Sequence, residues 1–194
     1  MQTSDESSIP EKLRERPTVE TARLVLRPCC MEDAGDIYRL AGDREIAYNT
    51  MLVPHPYEFS EAERWIGTHQ EIFESGQGVT FGIERRADAA FIGTIGLTIF
   101  EKHRSAEIGY WIGKPFWGNG YCTEASLAVL KYGFHQRGLH RIHGKCYSRN
   151  PASGRVMEKI GMQHEGRLRD HILKWDVFEN VETYGILEDE FGEE

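Results

Sequence analysis

The sequence predicts an α/β domain of the α+β kind, with a central mixed, mostly antiparallel sheet of about seven strands flanked by about four helices. Three observations carry this reading. Between residues 79 and 112, three runs alternate apolar and polar side chains at period two and are separated by short polar turns, as an antiparallel meander requires. At Gly118 the period switches to helical and stays so to about Arg137. The C-terminal part closes on two more alternating runs joined by Trp175-Asp176.

The elements follow in order. Residues 1–17 mix charges without apolar periodicity and are expected to form a flexible tail, leaving 18–194 as a single domain. Leu24 and Leu26 alternate with polar neighbours up to Pro28, which predicts an edge strand. Ala34, Ile37, Leu40 and Ala41 recur at helical spacing. Residues 48–59, with Pro54 and Pro56, read as a loop, and Ser60 with Glu63 three positions on is a capping-box signature for the next helix. Its apolar face is Ala62, Trp65, Ile66, His69, Ile72 and Phe73, and Gly76 and Gly78 end it. The meander strands are 79–84, 91–100 and 105–112, with turns at Ala87-Asp88 and 101–104. A strand at 139–147 and a short helix at 150–160, closed by Gly161, precede the final strands within 162–174 and 177–187.

Bulk properties narrow the function. The 31 acidic and 23 basic residues give a formal charge of −8, which argues against a nucleic-acid partner. That balance suits a cationic acceptor, and equally serves solubility. No apolar run approaches the ~18 residues of a membrane span, and the N-terminus lacks the apolar core of a secretory signal, so the expected compartment is the cytoplasm without membrane association. The four cysteines form no CxxC pair, and reduced structural thiols are expected. His140 and His143 have no acidic or thiol partner nearby in sequence, so no metal site is expected.

The most informative stretch runs from Ala106 to Ala125, AEIGYWIGKPFWGNGYCTEA. A strand leads into a glycine-bearing loop that opens a helix. Backbone N–H groups at such a helix start, with the helix dipole behind them, bind phosphate or pyrophosphate. Gly118 and Gly120 let the backbone take unusual dihedrals and approach a ligand. The missing third glycine excludes the dinucleotide fingerprint, and the missing Gly-Lys-Ser/Thr excludes a P-loop.

This run resembles motif A of the GNAT superfamily of N-acetyltransferases, whose pyrophosphate loop reads Gln/Arg-x-x-Gly-x-Gly/Ala. Pro115 departs from the first position. The form Tyr-Trp-Ile…Trp-Gly-x-Gly-Tyr-x-Thr-Glu-Ala is similar to the Rim-type branch, which includes ribosomal-protein N-terminal acetyltransferases. The resemblance extends from Arg23-Leu-Val-Leu-Arg-Pro28 to Tyr184-Gly-Ile-Leu187. It implies a splayed sheet, acetyl-CoA as acyl donor, and a pantetheine arm lying between the strand bearing Tyr110, Trp111 and Ile112 and the strand at 139–147. It also implies that the backbone of Trp117, Gly118, Asn119, Gly120, Tyr121, Cys122 and Thr123 holds the pyrophosphate.

A second motif is Ser148-Arg-Asn-Pro-Ala-Ser-Gly-Arg-Val-Met-Glu-Lys-Ile-Gly-Met162. Asn150 reads as a helix N-cap, Pro151 as the first helical residue and Gly161 as the C′ residue. The resemblance adds that Asn150 contacts the cofactor arm and that Ser153 lies near the thioester sulfur.

Acetyl transfer to a primary amine by direct attack on the thioester needs a base, an oxyanion donor and a donor to the leaving thiolate. Glu107 shares a strand face with Gly109 and Trp111 and is the candidate base, its titration then setting the acidic limb of the pH–rate profile. A salt-bridged strand glutamate is the alternative. Backbone N–H near Trp111 or Ile112 is the expected oxyanion donor. Tyr110 points to the opposite face and reads as a wall residue. Residues 48–57 and the hairpin at Trp175 are expected to flank the acceptor cleft, with Trp65, Trp111, Trp175 and Tyr184 as aromatic candidates and Glu182 and Glu188 as solvated acids. The acceptor is a protein N-terminal α-amine or a small-molecule amine, and a non-catalytic acyl-CoA sensor is the reading from outside enzymology. An edge strand near the C-terminus is suited to pairing in a homodimer.

Overall fold

The computed structural model describes residues 15–192. Most of the expected N-terminal tail therefore lies outside the described residues. Eight strands form one open sheet in the order β1-β2-β3-β4-β5-β6-β8-β7. Its strands are β1 Val19–Glu20, β2 Leu24–Arg27, β3 Gly78–Arg85, β4 Ala90–Phe100, β5 Ser105–Ile112, β6 Arg141–Tyr147, β7 Gln163–Lys174 and β8 Val177–Leu187. Among the described residues only β5 and β6 pair in parallel. The expected edge strand, β2, is covered by the two-residue β1, so the true edges are β1 and β7.

Five α-helices accompany the sheet: α1 Ala34–Ala41, α2 Arg44–Asn49, α3 Phe59–Glu74, α4 Tyr121–Lys131 and α5 Pro151–Lys159. α2 falls partly in the expected loop. Six residues give too short a period to read, and Asp43 starts the helix by accepting the Glu45 amide. The expected cap at Ser60 is corrected as well: α3 begins at Phe59 with Glu58 as N-cap and no side-chain cap bond. At its other end Gly76, at φ +72°, takes the left-handed turn that closes the helix. The helical run after Gly118 finishes in one π turn over Tyr132–Gln136.

Alternation along each strand sorts the core into two layers. Ile92, Ala106, Ile108 and Ile112 pack with Ala125, Val129 and Met157 of α4 and α5. Phe91, one residue out of phase, packs with Ile37, Leu40, Ala62 and Ile66 of α1 and α3, and Trp111 joins them. No described helix is long and apolar enough to cross a membrane.

Candidate active site

β5 and β6 are paired only from Ser105 to Ile108 against Arg141 to Gly144. Beyond that point the strands part while β5 stays bonded to β4 through Ile112. The backbone of Gly109 to Ile112 thus keeps an open hydrogen-bonding edge toward β6. A cavity of about 1050 Å³ opens at the parting and reaches both faces of the sheet. Of the sequence-predicted residues, Glu107, Tyr110, Trp111, Ile112, Trp117, Gly118, Gly120, Tyr121, Cys122, Thr123, Asn150 and Ser153 all line it. Asn119 does not: its amide nitrogen bonds the carbonyls of Phe116 and Trp117 and shapes the loop from within.

The glycine loop has the geometry of an anion cradle. Gly118 and Gly120 stand at φ +78° and +77°, and Gly120 is the N-cap of α4 with no side chain bonded to the first-turn amides. Those N–H groups are left for a ligand. A Cβ at Gly118 would meet nothing within 4 Å, so the requirement there is the dihedral rather than space. The loop is held at both ends. Trp117 Nε1 donates to Ile112 O at 2.5 Å. On the other side Arg23 Nη1 donates to Asn119 O at 2.9 Å, and its Nε reaches Glu124 Oε2 at 2.6 Å. Arg23 and Glu124 were not singled out from the sequence, because no local pattern joins them.

Asn150 caps α5 as expected: its Oδ1 accepts the Ser153 amide at 3.3 Å. Its Nδ2 reaches Asn49 O at 3.5 Å, linking the start of α5 to the end of α2. Gly161, at φ +89°, ends the helix with Met162 N bonded to Met157 O at 3.0 Å. Tyr110 is more than a wall residue. Its hydroxyl lies 3.0 Å from Ser153 Oγ and 3.2 Å from Ser153 O. Burial pushes its pKa upward, so the phenol keeps its proton. Nearby, burial pushes the Cys122 thiol up to about 12 and the Cys146 thiol up to about 11, so neither provides a thiolate nucleophile at neutral pH.

Glu107 sits against a lysine and a histidine of β6. Lys145 Nζ lies 2.8 Å from its Oε2 and His143 Nε2 3.4 Å from the same oxygen. The expectation that His143 has no acidic partner is corrected, since parallel pairing sets His143 directly beside Glu107. The hydrogen bond with His143 and the contact with Lys145 outweigh desolvation and bring the Glu107 carboxyl down to about 2. This is a carboxylate held ionised, with little affinity for a proton.

Met51, Leu52, Val53, Pro54, Tyr57 and Trp65 form a further wall of the cavity. Lys174 Nζ donates to Val53 O at 3.2 Å, and the Trp175 ring stands 5.9 Å from Tyr48 and 6.0 Å from His55. The loop and the hairpin therefore meet, while Trp175 and Tyr184 are not part of the cavity wall. Glu182 is corrected from solvated to buried: Ser148, Arg167 and His164 bond it at 2.6, 2.6 and 2.7 Å and bring its carboxyl down to about 2. Glu188 is exposed. Among the described residues no group of three or more His, Cys, Asp or Glu is placed to hold a metal ion.

Comparison with known proteins fits this geometry. Residues 23–163 match the acetyltransferase (GNAT) domain family. The chain is 35% identical over 172 residues to the uncharacterized N-acetyltransferase YoaA of Bacillus subtilis, covering 88% of this chain and 97% of that protein. The spermidine N-acetyltransferase of Vibrio cholerae, solved with CoA and spermine, superposes with a TM-score of 0.77 at 25% identity, over 88% of this chain and 98% of that one. RimJ of Mycobacterium smegmatis, solved with CoA-disulfide, shares the fold at a TM-score of 0.83 and 23% identity, over 91% and 90%.

Proposed function

Because the chain belongs to the GNAT acetyltransferase family, we propose that this N-acetyltransferase moves the acetyl group of acetyl-CoA directly onto an α-amine, with a peptide N-terminus as the acceptor. The observation that carries the acceptor class is the state of the acids in the cavity. Its two lining carboxylates among the described residues are both engaged, Glu107 by Lys145 and Glu61 by Arg64. Neither is left to hold a polycation such as a polyamine. A carboxylate of such low pKa is also a weak base for a lysine-type amine near ~10.4, whereas an α-amine near ~8 already presents a useful neutral fraction at physiological pH.

In this reading the amine nitrogen attacks the thioester carbon as the C–S bond breaks and its electron pair passes to sulfur. Glu107, fixed by Lys145, orients a water that receives the proton of the ammonium before attack. The open β5 edge near Trp111 or Ile112 supplies the oxyanion donor, and Ser153 donates to the thiolate. The protonated states of Cys122 and Cys146 favour direct transfer over an acyl-cysteine intermediate.

The test is release of free CoA from acetyl-CoA with short peptides of varied first residue, compared with spermidine, lysine and aminoglycosides. Peptides with a free α-amine should be turned over faster than the polyamine. A preference for spermidine removes the acceptor assignment, and absence of turnover with every amine points to a non-catalytic acyl-CoA binder.

A further inference from the structure

The Tyr110 phenol has two acceptors within reach, both on Ser153, and a single hydrogen to give. The Ser153 carbonyl lies inside the first turn of α5, where the helix supplies it with an amide donor from the next turn. The Ser153 hydroxyl stands closer, at 3.0 Å against 3.2 Å, and also faces the Cys146 thiol on the cavity wall. Around the phenol lie Cys122, Cys146 and Tyr184. Among the described residues Ser153 is its hydrogen-bonding partner.

We propose that Tyr110 is a positioning residue for Ser153: it donates its phenolic hydrogen to Ser153 Oγ, which turns the serine's own hydrogen into the cavity toward the sulfur of CoA. An O–H group that accepts one strong hydrogen bond becomes a better donor in the next. Without Tyr110, the serine hydroxyl is free to turn back to a backbone carbonyl one turn earlier in the chain. The phenol itself stays protonated throughout, because burial opposes its ionisation. The pair thus stabilises developing thiolate charge by hydrogen bonding, with no proton leaving Tyr110.

This inference deepens the proposed reaction and rests on Ser153 facing the sulfur. It is tested on a property that needs no acceptor. CoA and desulfo-CoA, which lacks the thiol, are titrated into the protein by calorimetry from pH 7 to pH 9.5. In the wild type, affinity for CoA relative to desulfo-CoA should rise with pH by about tenfold, because the bound thiol ionises below its free value when a donor faces it. Tyr110→Phe should lose most of that rise, Ser153→Ala should lose all of it, and the double variant should be no worse than Ser153→Ala. In turnover assays Tyr110→Phe should lower kcat by about tenfold with KM for acetyl-CoA within twofold. Tyr110→Phe that keeps the full pH-dependent rise overturns the inference, as does a loss that adds to that of Ser153→Ala. A wild-type rise of this kind without turnover of any amine would sink the proposed reaction and leave the pair standing.

Discussion

Arg23 and Glu124, 101 positions apart in the chain, meet at 2.6 Å, and the same guanidinium donates to Asn119 O at 2.9 Å. Thr21 Oγ1 also donates to Glu124, at 2.6 Å. The glycine loop is thereby tied to the β1–β2 turn. Arg23→Ala should raise the Kd for acetyl-CoA by about fivefold, the scale of one half-exposed ion pair plus a carbonyl bond. Calorimetry reads this directly, and an unchanged Kd would mean the loop holds its shape without the tether.

Gly120 takes φ +77°, which a β-branched residue does not tolerate. Gly120→Val should weaken acetyl-CoA binding by more than about tenfold, since the backbone must leave the left-handed region and withdraw its amide from the cradle. Circular dichroism checks that the variant is folded. Wild-type affinity in a folded Gly120→Val protein would remove the glycine loop as the anion site.

Glu107 is held near pKa 2, which changes what its removal should do to the pH profile. Glu107→Gln should lower kcat by about 10- to 100-fold while the acidic limb of kcat/KM keeps its midpoint. With an α-amine acceptor that limb should follow the amine, whereas a titrating Glu107 would set it. A limb that flattens in the variant would restore Glu107 as the titrating base.

The same depressed pKa has a stability consequence. Folded Glu107 binds its proton less readily than unfolded Glu107, so its contribution is present above about 4.5 and is lost as pH falls toward about 2. Denaturant titrations of Glu107→Gln should show a smaller loss of stability than the wild type across that window. Equal acid slopes in the two proteins would contradict the ion-pair account.

His69 is buried edge-on against Trp65, ring centroids 4.3 Å apart, and among the described residues neither ring nitrogen has a hydrogen-bond partner. Desolvation, with a smaller push from Arg16, brings its pKa down to about 4. Protonation then favours the unfolded chain, so wild-type stability should fall as pH drops from about 6.5 to about 4. His69→Phe keeps the ring contact and should remove that portion of the slope, with equal or higher stability at pH 5. Urea midpoints at pH 7.5 and pH 5 for both proteins measure it.

Features governed by a few neighbouring residues were legible from the chain. Period-two alternation defined β5 at Ser105–Ile112 to the residue, the Asn150-Pro151 pair placed the start of α5, and Gly118 and Gly120 marked the left-handed loop that opens α4. Short or weakly patterned elements were not: α2 buries little beyond Ile46 and Ala47, and a capping signature at Ser60 lost to a helix that starts earlier. What joins distant segments was settled by the sheet. Its order, with β8 between β6 and β7, and the parallel pairing of β5 with β6 set His143 and Lys145 against Glu107. The same layering brought Tyr110 across 43 positions to Ser153. Periodicity along a strand says which face a side chain takes; which strand lies next to it depends on packing the whole chain into two layers around one sheet, and that decided the charge on Glu107 and the partner of Ser153.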